Sequence, residues 1–149
     1  MKIYLGSDHA GFFLKEMLRK FLLEQGYEVI DFGANRENKD DDYPDFVHPV
    51  AEKVAEDSEH RWGIILGGSG EGEAMVANRY KGVRAAVWYG KNERILTLSR
   101  EHNNANVLSI GARFVHEDEV KQAVLLWLKT PFSGDDRHVR RIAKIDKIL

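Results

Sequence analysis

The residues best suited to chemistry form a glycine-rich segment, GGSGEGE, at positions 67–73. It follows the apolar run 62–66 and precedes a helix-like stretch at 74–80. A glycine-rich turn between a strand and a helix presents backbone N–H groups that hold a phosphate or a developing oxyanion. The segment also carries two carboxylates, which would weaken the binding of a phosphate alone. A site that removes a proton and stabilises the resulting enediolate needs both features.

Polar side chains follow other apolar runs as well. The first predicted strand ends in Ser7-Asp8-His9, and the segment between the fourth and fifth strands carries His102-Asn103. Ligands of open parallel sheets bind beyond the carboxyl ends of the strands, so we expect these side chains to converge with the glycine-rich segment. Taken singly, Asp8 is more simply an N-cap of the next helix, and His102 a structural histidine. Their joint placement favours a site.

The elements that must position these residues alternate between apolar strands and amphipathic helices. Near-continuous apolar runs separated by helices are typical of a parallel sheet covered on both faces. The sequence therefore predicts a single doubly wound (Rossmann-like) α/β domain with a five-stranded parallel sheet. The predicted strands are 2–7, 27–32, 62–66, 84–88 and 106–110, and the main predicted helices are 11–25, 45–59, 92–101, 117–129 and about 136–149.

Composition limits the class of protein. A chain of 149 residues with 43% hydrophobic content is long enough for one proper core. Its formal net charge of −2 gives no electrostatic reason to expect nucleic acid or a membrane surface as a partner. Because no leader or membrane-length apolar run is visible, we expect a cytoplasmic protein. The absence of cysteine excludes disulfides, thiolate metal sites and a thiol base.

Several longer motifs follow one another along the whole chain. They are GSDHAGF at 6–12, DYPDF at 42–46, GGSGEGE at 67–73 followed by Ala77-Asn78-Arg79, REHNNANVLSIGAR at 100–113, and DRHVRRI at 136–142. Together they resemble the type B ribose-5-phosphate isomerases, a family that includes bacterial galactose-6-phosphate and allose-6-phosphate isomerases. In combination these motifs are far more specific than the glycine-rich segment alone.

The resemblance implies an aldose-ketose isomerase that moves a proton between C1 and C2 of a sugar phosphate through a cis-enediolate, without a cofactor or a metal. One branch of the family uses a cysteine base at the start of the glycine-rich segment, where this chain has Gly67. The other branch uses a glutamate at its end, where this chain has Glu73. We therefore expect Glu73 to be the base, with burial raising its pKa toward the working pH. Glu71 is better explained as an exposed carboxylate at a helix start.

The resemblance also implies roles around this base. Ser69 would assist proton transfer between the substrate's O1 and O2. Ring opening would fall to Asp8, His9 and His102, in a division of labour that the sequence leaves open. The backbone N–H groups that would stabilise the enediolate belong to the middle of the segment, Gly68, Gly70, Glu71 and Gly72. Sugar hydroxyls and the pocket edge would be contacted by Asn103 and Tyr43, although simple packing explains Tyr43 almost as well.

The basic stretch near the end of the chain is the expected phosphate site. Arg137 and Arg141 are four positions apart, so on a helix they share one face and can bind the same anion. His138 and Arg113 would contribute. Without the resemblance, a solvated helix end explains these charges. The resemblance implies that the arginines complete the active site of a neighbouring subunit, in a homodimer or a dimer of dimers.

Three alternatives stay open. The substrate could be a six-carbon sugar phosphate, because the sequence does not give the distance between the arginines and the glycine-rich segment. A phospho-sugar sensor on the same fold would keep the arginines but would not need Glu73. A receiver-like domain fits less well, since it has no use for the glycine-rich segment. The acidic residues Asp40, Asp41 and Asp42 have no assigned role; an exposed loop is the first interpretation and a cation site a remote one.

Overall fold

The computed structural model describes residues 1–147 and confirms the predicted α/β fold. The strands are β1 (Lys2–Ser7), β2 (Glu28–Asp31), β3 (Arg61–Gly67), β4 (Ala85–Trp88) and β5 (Val107–Gly111). The helices are α1 (Phe12–Glu24), α2 (Tyr43–Ala55), α3 (Glu71–Ala77), α4 (Glu93–Glu101), α5 (Glu117–Lys129) and α6 (Asp136–Ile145), with a short 3₁₀ turn at Ala112–Phe114. Positions 148 and 149 of the predicted last helix lie outside the described residues. No helix in the described part of the chain has the length and apolarity needed to span a membrane.

The strands form one parallel sheet in the order β2-β1-β3-β5-β4. The chain leaves β1 toward one side of the sheet and β3 toward the other, so the order reverses between these two strands. Such a reversal opens a crevice beyond the carboxyl ends of the strands. The register places Ser7 beside Leu66 and Gly67 beside Gly111, so the ends of β1, β3 and β5 lie together.

Each face of the sheet is covered by helices that present an apolar side. On one face α1, α4 and α5 enclose a core that includes Leu18, Leu96 and Trp127. On the other face α2 and α3 enclose a smaller core that includes Val50 and Ala77. Burial of these side chains fixes the helices against the sheet, and the helix starts then determine which polar residues reach its carboxyl edge.

The helix that follows the glycine-rich segment starts earlier than the predicted stretch at 74–80. Gly70 has a φ of +81°, a left-handed conformation that glycine adopts readily, and α3 begins at the next residue. Glu71 and Glu73 therefore lie in the first turn of α3. This early start turns Glu73 inward, where it is buried, while Glu71 stays exposed.

Candidate active site

A cavity of about 320 Å³ lies at the carboxyl edge of the sheet, between β1, β3 and the start of α2. Most of the residues around it were predicted for the site from the sequence. Eight of the lining residues were predicted, namely Asp8, His9, Tyr43, Gly68, Ser69, Gly72, Glu73 and Arg113, and the two that were not are Ala10 and Phe114. The structure therefore brings the expected base, loop hydroxyl and ring-opening candidates from β1 to one place.

The glycine-rich loop is held in shape by β5. The Ser109 hydroxyl donates a hydrogen bond to the Gly70 carbonyl oxygen at 2.6 Å, and the Arg113 N–H donates to the Gly68 carbonyl oxygen at 3.2 Å. A Cβ at Gly111 would lie 2.6 Å from the Ser69 carbonyl oxygen, so the loop packs directly on the β5 backbone. In the first turn of α3, the Glu71 N–H donates to Ser69 Oγ at 3.3 Å and the Glu73 N–H donates to its own carboxylate. The Gly72 N–H has no partner within the helix and can bind a ligand. Ser109 lies inside the motif at 100–113, and nothing in the sequence distinguishes it as the residue that holds the loop.

Glu73 occupies the floor of this cavity and is only 4% exposed. Burial raises the pKa of its carboxyl, the nearby Asp8 charge raises it further, and a hydrogen bond from its own backbone N–H opposes the two. A raised pKa brings a carboxylate closer to the range of an effective general base. A side chain at Gly67 would coincide with the Glu73 carboxylate, so this carboxylate fills the space that a side chain at position 67 would need.

Asp8 borders the site and also fixes a turn, but it is not the helix N-cap that the sequence suggested. Its Oδ1 accepts the N–H groups of Ala10 at 2.9 Å and Gly11 at 3.4 Å, which fixes the turn ahead of α1. The N-cap position itself is Gly11, so Asp8 shapes the turn without being the N-cap. It is 6% exposed, borders the cavity and acts electrostatically on Glu73.

His9 reaches the cavity next to Asp41, which belongs to the acidic loop before α2. The His9 Nδ1 lies 2.6 Å from Asp41 Oδ1, and 3.9 Å from Asp8 Oδ2. One ligand atom each from Asp8, His9 and Asp41 lies within 4.8 Å of the others, a spacing that a divalent cation could bridge. Of the three adjacent acids Asp40, Asp41 and Asp42, Asp41 is the one in this group, while Asp40 and Asp42 are exposed.

Tyr43 and Arg113 complete the rim. A Cβ at Gly72 would lie 2.8 Å from the Tyr43 ring, so this ring packs on the start of α3 while also bordering the cavity. The Arg113 guanidinium lies over Gly68, at 3.3 Å from the place of a Cβ there. Arg113 thus supplies a positive charge at the mouth of the cavity, beside the loop N–H groups.

The remaining predicted residues lie elsewhere in the same subunit. His102 and Asn103 precede β5, whose first residue Val107 pairs with Gly63 near the start of β3. They are therefore at the amino edge of the sheet, and the expectation that they converge with Asp8 is wrong within one subunit. The reason is connectivity: a helix that leads into a parallel strand must end at that strand's amino end. Asn103 borders a different cavity, of about 340 Å³, which also touches Ile145 of α6.

At this amino edge, His102 meets α6. The rings of His102 and His138 stack at 4.3 Å between centroids, with 15° between their planes. His138 is buried, and this burial lowers its pKa, as do the neighbouring charges of His102 and Arg137. Arg137 and Arg141 are exposed on α6. The structure thus gathers His102, Asn103 and the α6 residues into a second group, away from the Glu73 cavity.

A buried arginine shapes the turn that carries this second group. The Arg100 guanidinium stacks on Trp62 at 4.0 Å and lies 5.9 Å from the Trp127 ring centroid. Burial lowers its pKa to about 10. Its hydrogen bonds go to three acceptors, the Thr130 carbonyl at 3.2 Å, Asn104 Oδ1 at 2.8 Å and the Ala105 carbonyl at 2.6 Å. Sequence reasoning missed Arg100, because an arginine in the last turn of a helix is ordinarily solvated.

A doubly wound sheet with a buried carboxylate and a phosphate-type glycine loop at its switch point defines a sugar-phosphate isomerase type of site. The chain belongs to the ribose/galactose isomerase family, whose model matches residues 3–145. It is 43% identical over 143 residues to the probable ribose-5-phosphate isomerase B of Mycoplasma genitalium, covering 96% of this chain and 92% of that protein. It is 42% identical over 142 residues to ribose-5-phosphate isomerase B of Mycobacterium tuberculosis, covering 95% and 86%.

Solved structures agree with this family membership. The ribose-5-phosphate isomerase B of Mycoplasma genitalium with bound ribulose-5-phosphate superimposes with a TM-score of 0.94 at 41% identity, over 99% of this chain and 95% of that one. The Clostridium thermocellum ribose-5-phosphate isomerase B gives a TM-score of 0.91 at 45% identity, over 99% and 97%. The similarity therefore covers nearly the whole chain in both sequence and structure.

Proposed function

We propose that the protein is an aldose-ketose isomerase that interconverts ribose 5-phosphate and ribulose 5-phosphate. The observation that carries this proposal is the buried Glu73 carboxylate, whose pKa is raised, beside the N–H groups of the glycine-rich loop. A relative of the same fold has been solved with ribulose-5-phosphate bound.

The reaction is a proton transfer with no net change of atoms. Glu73 removes the proton from C2 of the open-chain aldose, and the electron pair forms the C1–C2 double bond of the enediolate. The N–H groups of the loop stabilise the oxyanion. The Ser69 hydroxyl moves a proton between O1 and O2, and Glu73 then returns its proton to C1, which gives the ketose. Asp8 and His9 border the same cavity and would assist ring opening.

The second group of predicted residues belongs in this proposal as the contribution of a neighbouring subunit. His102 and Asn103, together with Arg137, His138 and Arg141 of α6, would complete the partner's cavity across a two-fold axis. The apolar rim of the cavity supports this arrangement: Phe114 is 61% exposed and lies against Tyr89, which is 52% exposed. A second subunit would cover this patch, and the arginines would bind the substrate phosphate.

A phosphorylated five-carbon sugar is a substrate of central metabolism and does not cross membranes unaided. We therefore place the proposed activity in the cytoplasm, in the pentose phosphate pathway. A six-carbon sugar phosphate is the alternative substrate, since the family description names galactose as well as ribose. A non-catalytic sensor fits less well. Burying the Glu73 carboxylate costs free energy, and a protein that only binds the sugar phosphate would not need this carboxylate.

The test compares wild type with Glu73→Gln on ribose 5-phosphate in the presence of EDTA. We expect kcat to fall about 10²- to 10⁴-fold with substrate binding largely kept, since the change removes a proton acceptor and preserves shape. Glu93→Gln, which alters an exposed acid in the first turn of α4, is the matched control and should leave kcat unchanged. The wild-type kcat/KM should decline on acidification through a pKa above the 4.5 of an ordinary glutamate. An active Glu73→Gln variant would remove Glu73 from the role of base, and an inactive wild type would favour the six-carbon substrates.

A further inference from the structure

One acid of the loop before α2 is directed into the candidate active site. Of the three adjacent acids, Asp40 and Asp42 are exposed, whereas the Asp41 side chain is only 9% exposed. Its Oδ1 accepts a hydrogen bond from the backbone N–H of His9 at 3.1 Å and contacts the His9 Nδ1 at 2.6 Å. These two contacts fix both the peptide and the ring of His9.

The contact decides which ring nitrogen of His9 is free. An ionised carboxylate can only accept hydrogen bonds, so His9 Nδ1 must carry the proton that points at Asp41. Nε2 is then the nitrogen left for a ligand. The His9 side chain is 25% exposed and borders the cavity that contains Glu73, where we propose that the substrate binds.

Hydrogen bonds of the loop backbone hold Asp41 beside the end of β1. The Ala34 N–H donates to the Ser7 carbonyl oxygen at 3.0 Å, which ties the start of the loop to the end of β1. Near its end, Asn38 forms a turn by accepting the N–H of Asp41 at 3.1 Å and that of Asp40 at 3.2 Å. The tightly turned loop thus projects Asp41 toward His9 while its neighbours face solvent.

Burial of the Asp41 carboxylate contributes little to the stability of the fold. The second oxygen of Asp41, Oδ2, is buried and has no hydrogen-bond partner among the described residues. A buried polar atom left in this state costs free energy, which natural proteins tolerate mainly at functional sites. The hydrogen bonds of the Asp41 side chain are both with His9, a residue of the candidate site.

We propose that Asp41 is a positioning residue that fixes the ring orientation and the Nδ1-protonated tautomer of His9, so that Nε2 faces the substrate. This inference rests on the proposed isomerase function. It gives one acid of the otherwise unexplained acidic stretch a role through His9 and leaves Asp40 and Asp42 as surface residues.

The kinetic test is a double-mutant cycle on ribose 5-phosphate in EDTA. Asp41→Ala should lower kcat/KM about 10- to 100-fold, the usual cost of removing a partner that orients a functional imidazole. Asp40→Ala, the matched exposed control, should match wild type. The double variant His9→Ala/Asp41→Ala should be no worse than His9→Ala alone, because Asp41 acts through His9. Additive losses would overturn the proposal. So would a wild-type activity that EDTA abolishes and Mg²⁺ restores while Asp41→Ala no longer responds to Mg²⁺, since Asp41 would then be a metal ligand.

The second test does not depend on turnover. The ¹⁵N chemical shifts of the imidazole nitrogens, assigned by comparison with His9→Ala, report the tautomer directly. Wild type and Asp40→Ala should show His9 protonated at Nδ1, and Asp41→Ala should show a shift toward the Nε2-protonated form. A His9 tautomer that is unchanged by Asp41→Ala would overturn the proposal even in an active enzyme. The protein could show the expected change of the His9 tautomer and yet fail to convert ribose 5-phosphate. That result would support the positioning role of Asp41 and would contradict only the proposed substrate.

Discussion

At the scale of single residues, the position of the proposed base depends on a glycine. The Glu73 carboxylate occupies the space that a side chain at Gly67 would need. The two positions therefore exclude each other: a chain can carry a side chain at 67 or an inward carboxylate at 73. This gives a steric reason why a glycine at 67 and a glutamate at 73 occur together here.

Gly67→Ala should displace the Glu73 carboxylate and reduce kcat about 10²- to 10⁴-fold, as loss of a positioned base does. The added methyl group should also destabilise the fold by about 1–3 kcal/mol, the usual cost of overpacking. Steady-state kinetics and urea unfolding measure the two effects.

The control for this variant is its combination with Glu73→Ala. If the methyl group acts by colliding with the carboxylate, Gly67→Ala should cost little stability in a Glu73→Ala background. An equal loss of stability in both backgrounds would mean that the β3 backbone, and not Glu73, is what the substitution disturbs.

At the scale of elements, Arg100 links α4 to the turn that carries His102 and Asn103. Its guanidinium is enclosed by two tryptophan rings, and its hydrogen-bond partners within residues 1–147 are the Thr130 and Ala105 carbonyls and Asn104, with no carboxylate among them. Cation–π contact and these acceptors offset the burial of the charge, a burial that lowers the pKa of Arg100 to about 10. The group stays charged at neutral pH.

Arg100→Met should lower the free energy of unfolding by at least about 2 kcal/mol, because it leaves buried acceptors unpaired at a cost of about 1–3 kcal/mol each. Arg100→Lys should also destabilise, since an ammonium group can neither stack on Trp62 nor reach three acceptors as a planar fork. Urea unfolding provides the measurement. Arg94→Met, at an exposed position of the same helix, should change stability by less than about 0.5 kcal/mol. Equal effects at the two positions would contradict the structural role of Arg100.

The elements differ in how far the sequence could predict them. The strands could be predicted because buried parallel strands are near-continuous apolar runs, and Glu73 and its loop could be predicted because strand, glycines and helix follow one another along the chain. The residue at which α3 starts could not be predicted from the sequence, because it depends on the left-handed conformation of Gly70. Asp41 could not be distinguished from Asp40 and Asp42 before the loop was folded, because the three are chemically alike.

At the scale of the whole molecule, the two groups of site residues lie at opposite edges of the sheet. The carboxyl edge holds Glu73 and the loop, and the amino edge holds His102 beside α6. Within one subunit the sheet separates the two groups. A two-fold dimer can join them twice, once at each cavity, because each subunit then offers its amino-edge group to the other.

Mixing two impaired variants tests this arrangement, at a substrate concentration well below the raised KM of the arginine variant. Glu73→Gln removes the proposed base from a subunit's own cavity, and Arg137→Ala removes a proposed phosphate ligand from the partner's cavity. After random reassociation about half of the dimers contain one subunit of each kind. Each mixed dimer has one cavity that carries both defects and one cavity that carries neither. About a quarter of all cavities are therefore intact, and the mixture should recover about a quarter of wild-type activity. A mixture of Arg137→Ala with Arg141→Ala should recover nothing, because every cavity still lacks one arginine. If the first mixture also stays inactive although mixed dimers are shown to form by mass spectrometry, the arginines serve their own subunit and the shared site is wrong.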